Sequence, residues 1–308
     1  MNRVKIFEMF LRDGLQSYKT IFNLKEKIHM FDLLNKCGYD CIEFGSTTSP
    51  KLIPQMEHSF DLWDHIKTDK TNNNMKYTML VPSINHLDKC FSKNMDSYGL
   101  VTSVSNDFCE RNMKTTRDKS LEITLESINK IVNFNKDSHI RVYISTSFGC
   151  PFSKNSKELN YQLENFINSL INIIETHKLS RERFDIVLSD TIGVCSVETL
   201  KEVLDIPEKR YMKYIGLHMH FRSSTINKKQ KFERLIDIAL DSGVMKYDCS
   251  LLGIGGCPYA KLKDSNDSIG NLSTIPFLEY LEKSGMKTGI DMNLIKETSR
   301  EIEKFLIK

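Results

Sequence analysis

Short apolar runs alternate with longer amphipathic stretches along the whole chain. The segments Val4–Phe10, Asp40–Phe44, Lys76–Val81, Tyr98–Val104, Ile140–Thr146, Phe184–Ser189, Lys213–His218 and Lys246–Leu252 have strand length and composition. Ile140-Arg141-Val142-Tyr143-Ile144 shows the β-branched and aromatic content that suits a pleated surface. Between the strands, Leu159, Leu163, Phe166, Leu170 and Ile174 fall on one helical face, as do Phe232, Leu235, Ile236, Ala239 and Leu240. Eight strand-then-helix units without a linker or composition break predict an α/β fold, a closed (β/α)8 TIM barrel forming one catalytic domain over residues 1–308. The stretch from about Thr288 to Lys308 reads as a C-terminal helical extension. A doubly wound sheet is the competing arrangement, and it fits less well because no G-x-G-x-x-G follows the first strand.

Composition narrows the function classes. A chain of 308 residues with 40% hydrophobic and 27% charged residues is an ordinary globular protein. Its net charge of +3 is small and dispersed, which argues against nucleic acid and is compatible with an anionic metabolite. No apolar run approaches a membrane span, so no membrane partner is expected. The eight cysteines form no C-x-x-C pair, and no signal peptide precedes them, so reduced thiols and a cytoplasmic location are expected. Met1-Asn2-Arg3-Val4 enters a strand at once, leaving no room for a transit peptide, and the C-terminus is not a peroxisomal signal.

In a barrel of this class, chemistry gathers at the C-terminal ends of the strands. Arg12-Asp13-Gly14-Leu15-Gln16 follows the first strand, Glu43 ends the second, and Asp190-Thr191-Ile192-Gly193 ends the sixth. His218 and His220 end the seventh and, two residues apart on a strand, project from the same face. Two imidazoles at a strand end, together with Asp13 and an amide oxygen, point to a divalent-cation site that keeps positions open for water. Each residue also has a plainer reading. Asp13 suits a turn, Glu43 suits the partner of a buried arginine, and Asp190 suits a helix N-cap.

Gly253-Ile254-Gly255-Gly256-Cys257-Pro258-Tyr259-Ala260 sets one thiol between permissive glycines and a rigid proline. Such a thiol suits a nucleophile or a proton-transfer group, or else a small buried hydrophobe. Cys150, before Pro151, is expected to pack beneath the site, with cofactor or substrate contact as the alternative, and the remaining cysteines to be core or inert surface residues.

Taken together, Arg12-Asp13-Gly14-Leu15-Gln16, Ser49-Pro50-Lys51, Gly149-Cys150-Pro151, Asp190-Thr191-Ile192-Gly193-Val194, His218-Met219-His220 and the Cys257 segment resemble the 3-hydroxy-3-methylglutaryl-CoA lyase family. The similarity runs from about Val4 to Gly289. The resemblance implies a barrel that cleaves hydroxymethylglutaryl-CoA to acetyl-CoA and acetoacetate with Mg²⁺ or Mn²⁺. It implies Asp13, His218, His220 and Asn271 as metal ligands, and Arg12 as the stabiliser of the developing enolate oxygen. Cys257 would then act as proton-transfer group, Glu43 and Asp190 as orienting groups, and Gln16 with Arg12 as substrate contacts. An acyl-CoA substrate and a homodimer are further implications.

Two departures from that family pattern stand out. Phe221-Arg222 follows the histidine pair where the family carries Asp-Thr or Asn-Asp. Arg222 therefore puts a cation where the substrate carboxylate should lie, either to bind it, or to take a different acid, or at the expense of metal binding. The segment after Ala260 is five residues longer than the family's and bears Lys261 and Lys263; Asn266 keeps the family spacing, whereas Gly270-Asn271-Leu272 keeps the local motif. A related aldolase or Claisen-type enzyme on another acid, and a non-catalytic descendant, are the alternative functions.

Overall fold

The computed structural model describes residues 3–68, 75–153, 155–222, 229–256 and 269–307. Cys257, Asn266, Lys261 and Lys263 lie outside the described residues. Spatial clustering of the chain gives two compact units, one of residues 1–80, 246–256 and 270–308, the other of residues 81–245 and 257–269.

The first unit holds strands β1 (Lys5–Glu8), β2 (Cys41–Ser46), β3 (Lys76–Leu80) and β8 (Lys246–Cys249). Strand β1 pairs in parallel with β2 on one side and with β8 on the other, Glu8 standing opposite Ile42 and Cys249. The second unit holds β4 (Ser97–Ser103), β5 (His139–Ser145), β6 (Phe184–Asp190) and β7 (Ile215–Arg222), each paired in parallel with the next. A first strand bonded to both the second and the eighth, with the strands otherwise in sequence order, is a closed (β/α)8 barrel and rules out the doubly wound sheet. A short β9 (Ile269–Asn271) follows.

Several helices start where a side-chain oxygen meets the first free amides. Asn23 and Glu26 form a reciprocal capping box on the helix Leu24–Asn35, Asn155 caps Ser156–Thr176, and Ser196 caps Val197–Leu204. The C-terminal extension is the helix Met292–Leu306, capped by Asp291.

Several boundaries differ from the sequence reading. The seventh strand starts at Ile215 and runs to Arg222, because Lys209–Tyr214 coils into a 3-10 turn whose Tyr214 hydroxyl donates to Leu179 O at 2.8 Å. The first strand stops at Glu8, and the eighth at Cys249. Glu43 is not terminal: β2 continues to Ser46 across an irregularity between Glu43 and Gly45.

Strand polar groups in the second unit are paired rather than free. Asp185 Oδ2 accepts from Arg141 Nη1 at 3.0 Å and from His139 Nε2 at 3.1 Å, and all three side chains are buried. Asp185→Ala should destabilise the protein by about 3–5 kcal/mol, since it strands a buried guanidinium. Urea unfolding at neutral pH checks this; a loss below 1 kcal/mol would show that the charge finds water.

Candidate active site

The first strand delivers its polar pair through an unusually wide turn. After Glu8 the chain makes one π-helical turn, Phe10–Gly14, with Gly14 N–H donating to Met9 O at 3.0 Å. That turn buries Arg12 and Asp13, which are 6% and 7% exposed. Arg12 Nη1 donates to Asp13 Oδ1 at 2.6 Å, and Nη2 donates to Glu43 Oε2 at 3.1 Å. The guanidinium is thus forked between two carboxylates, so Asp13 is no surface turn residue, and Glu43, fully buried, pairs with it. Gln16 is half-buried just beyond the turn.

Asn271 braces this arrangement. Its Nδ2 donates to Asp13 Oδ2 at 2.8 Å and to Ile254 O at 2.9 Å. Its Oδ1 is buried and has no hydrogen-bond partner among the described residues. Gly255, at φ +113°, passes so close that a Cβ there would lie 2.7 Å from Asp13 O and collide with the Asn271 amide. The glycine run therefore serves a close approach to Asp13.

Beneath these groups lies Glu8, which sequence reading passed over. It is fully buried, and burial pushes its carboxyl up to about 7 against the donors that surround it. The only signal in the sequence is one acid within the apolar run Ile6-Phe7-Glu8-Met9-Phe10.

In the second unit, His218 and His220 do share a face. Both are buried, and their Nε2 atoms stand 3.1 Å apart. His220 Nδ1 lies 3.0 Å from Thr191 O, an acceptor only, so a ring proton sits on Nδ1 and Nε2 faces the other imidazole. The turn that supplies Thr191 O is built by Asp190. Its Oδ1 accepts from Val194 N–H at 3.1 Å and its Oδ2 from Cys195 N–H at 2.8 Å. Burial raises the Asp190 carboxyl, while those backbone bonds pull it down. Asp190 is therefore not a helix N-cap; Ser196 has that role, and Asp190 holds the turn whose Thr191 O meets His220 Nδ1.

Arg222 lies two residues beyond His220. Its Nη2 donates to Ile192 O at 2.9 Å, while Nη1 is buried without a partner among the described residues. Phe221 turns inward and packs edge-on against Phe232, ring centroids 5.4 Å apart. Cys150 is half-buried with Sγ 2.9 Å from Ser105 Oγ, and Ser49-Pro50-Lys51 is exposed. Cys37, Cys41, Cys90, Cys109, Cys195 and Cys249 are free and buried.

A (β/α)8 barrel with buried carboxylates, an arginine fork and a histidine pair on its strands and strand-end turns has the architecture of the barrel enzymes. Within that class, the chain belongs to the HMGL-like family, whose sequence model matches residues 3–302. It is 29% identical over 309 residues to the cytoplasmic 3-hydroxy-3-methylglutaryl-CoA lyase of Danio rerio, covering 98% of this chain and 83% of the relative. It is 27% identical over 308 residues to hydroxymethylglutaryl-CoA lyase YngG of Bacillus subtilis, covering 98% and 93%. The solved Bacillus subtilis HMG-CoA lyase superposes with a TM-score of 0.84 at 26% identity, covering 100% of this chain and 95% of that one.

Proposed function

We propose that this protein is a divalent-metal-dependent carbon–carbon lyase that cleaves 3-hydroxy-3-methylglutaryl-CoA, or a close 3-hydroxyacyl-CoA, to acetyl-CoA and a 3-oxo acid. The observation that carries this reading is the buried imidazole pair of His218 and His220, Nε2 atoms 3.1 Å apart, in a chain of the HMGL-like family; Asp13 is the carboxylate proposed to join them on the cation. The relatives named above are lyases of this CoA ester. The fit to a metal is supported by donor chemistry. His220 Nδ1 is turned to Thr191 O, which leaves Nε2 facing His218 Nε2, and Asn271 Oδ1 is a buried acceptor without a hydrogen-bond partner among the described residues. Mixed oxygen and imidazole donors suit a divalent cation, and the family resemblance favours Mg²⁺ or Mn²⁺.

When bound, the cation would act as a Lewis acid toward the substrate's hydroxyl and carboxylate oxygens. The hydroxyl at C3 loses its proton, the C2–C3 bond breaks, C3 becomes the new ketone, and the bonding electron pair passes into the thioester enolate. Arg12, already desolvated, would hold the charge on that enolate oxygen. Cys257 would give a proton to C2, and the proton released by the C3 hydroxyl, passed on through water, would restore the thiol, so protons and electrons balance. Glu43 fixes the Arg12 fork, Asp190 fixes the His220 tautomer through Thr191, and Gln16 would contact the acyl chain.

The experiment is an assay of acetyl-CoA release from hydroxymethylglutaryl-CoA. Protein stripped with EDTA should be inactive and Mn²⁺ should restore turnover. Failure of the Mn²⁺-loaded protein to cleave any 3-hydroxyacyl-CoA would overturn the reading.

Phe221-Arg222 favours a second reading, a related aldol cleavage of another acid, because the buried Nη1 of Arg222 offers a donor to a carboxylate. Either way Arg222 should act in binding. Arg222→Met is expected to raise KM about tenfold or more and to leave kcat within about threefold. Steady-state kinetics on hydroxymethylglutaryl-CoA and on 2-oxo acid aldols would check this and separate the two readings.

A further inference from the structure

Glu8 has no part in the chemistry proposed above, yet it meets three segments that carry it. Its Oε1 accepts from Phe10 N–H at 2.9 Å, in the turn that presents Arg12 and Asp13. The same oxygen accepts from Leu251 N–H at 3.0 Å, at the root of the glycine run. Its Oε2 accepts from Thr274 Oγ1 at 3.2 Å, in the first turn of the helix Thr274–Lys283, three residues beyond Asn271. The donors come from positions 10, 251 and 274, so no local turn chemistry ties them together.

We propose that Glu8 is a positioning residue whose carboxyl group sets the register between the Arg12-Asp13 turn, the root of the glycine run and the segment bearing Asn271. The proposal rests on the reading that Arg12, Asp13 and Asn271 belong to the catalytic site. The geometry just above Glu8 shows what the register protects. Asn271 Nδ2 reaches Asp13 Oδ2 and Ile254 O at the same time, and Gly255 leaves no slack between them. A shift of more than about half an ångström in the 251–254 segment would carry one of those bonds out of hydrogen-bond range.

What matters at Glu8 is reach, not charge. Both backbone amides sit on one oxygen, an arrangement that a carboxylate, a carboxylic acid and a carboxamide can all keep. The neighbouring titratable groups are Tyr39, Cys37 and Cys249, each raised by burial and hence neutral near pH 7. Burial raises the Glu8 carboxyl to about 7 as well, which agrees with a site that tolerates the neutral form.

The test is a pair of variants of the full chain, Glu8→Gln and Glu8→Asp, read by Mn²⁺-saturated kinetics and by hydrogen exchange of segments 9–16 and 250–256. Glu8→Gln keeps the reach and loses the charge; Glu8→Asp does the opposite. Glu8→Gln should stay within about threefold of the parent in kcat, with unchanged exchange. Glu8→Asp should lose about tenfold or more in kcat with little change in KM, and both segments should exchange faster. Parent-like turnover and exchange in Glu8→Asp would overturn the proposal, and so would a loss in Glu8→Gln as large as in Glu8→Asp. If the parent itself shows no lyase turnover, the functional reading fails and exchange alone decides the role of Glu8. Should Glu8→Asp not fold, a tenfold loss in Glu8→Gln overturns the proposal, and a parent-like kcat with parent-like exchange upholds it.

Discussion

Arg12→Lys is expected to lower kcat by about 10²–10³-fold, with KM for the CoA ester changed only a few-fold. The guanidinium is held by two carboxylates at once, Asp13 through Nη1 at 2.6 Å and Glu43 through Nη2 at 3.1 Å. Those bonds fix its plane and aim its remaining N–H groups before any substrate arrives. An ammonium keeps the charge but is a point donor on a flexible stem, and it cannot span both carboxylates in that plane. On the proposed chemistry the loss falls on the step in which the thioester oxygen would gain charge. Stability should suffer far less, by about 1–3 kcal/mol, because one of the two buried carboxylates still finds a cation. Single-turnover kinetics at saturating Mn²⁺ checks the first expectation and urea unfolding the second. An Arg12→Lys protein with parental kcat would remove Arg12 from the chemistry altogether.

The barrel was legible because its strands are short apolar runs at even spacing, and because His218 and His220 sit two apart, which fixes their common face whatever the register. Glu43 was misplaced at a strand end because Gly45-Ser46 looks like a turn; the irregularity opposite Thr78 and Met79 lets β2 run on to Ser46. Strand seven was started too early because Lys213-Tyr214-Ile215 has strand-like composition, whereas the tyrosine belongs to the preceding 3-10 turn and bonds Leu179 O. Asp190 looked like an N-cap since a helix follows it, but the cap is Ser196 and the aspartate spends both oxygens on the turn before it. Glu8 could not be found at all. Two of its three partners lie more than 200 positions downstream, and nothing in one acid among Ile6, Phe7 and Met9 says which groups will reach it.

Gly255→Ala should weaken Mn²⁺ binding by about 10–100-fold and lower kcat/KM by about 10²-fold, the largest effect expected from adding one methyl group. The backbone at Gly255 has φ +113°, where an L-residue is strained before any contact is counted. The added carbon would also lie 2.7 Å from Asp13 O and against the Asn271 amide. Neither neighbour yields cheaply. Asp13 O is backbone, and Asn271 Nδ2 is already committed to Asp13 Oδ2 and Ile254 O. Relief must therefore come from moving Asp13, Asn271 or both, the two oxygen donors proposed for the cation. Gly285→Ala is the matched control. It has φ +72° and nothing within 4 Å of the new Cβ, so it carries the backbone strain without the collision. The control should lose about 1 kcal/mol of stability and no activity. Mn²⁺ titration followed by paramagnetic resonance, with kinetics on the same samples, separates the two. Equal behaviour of Gly255→Ala and Gly285→Ala would mean that the glycine run serves chain flexibility, not its close approach to Asp13 and Asn271.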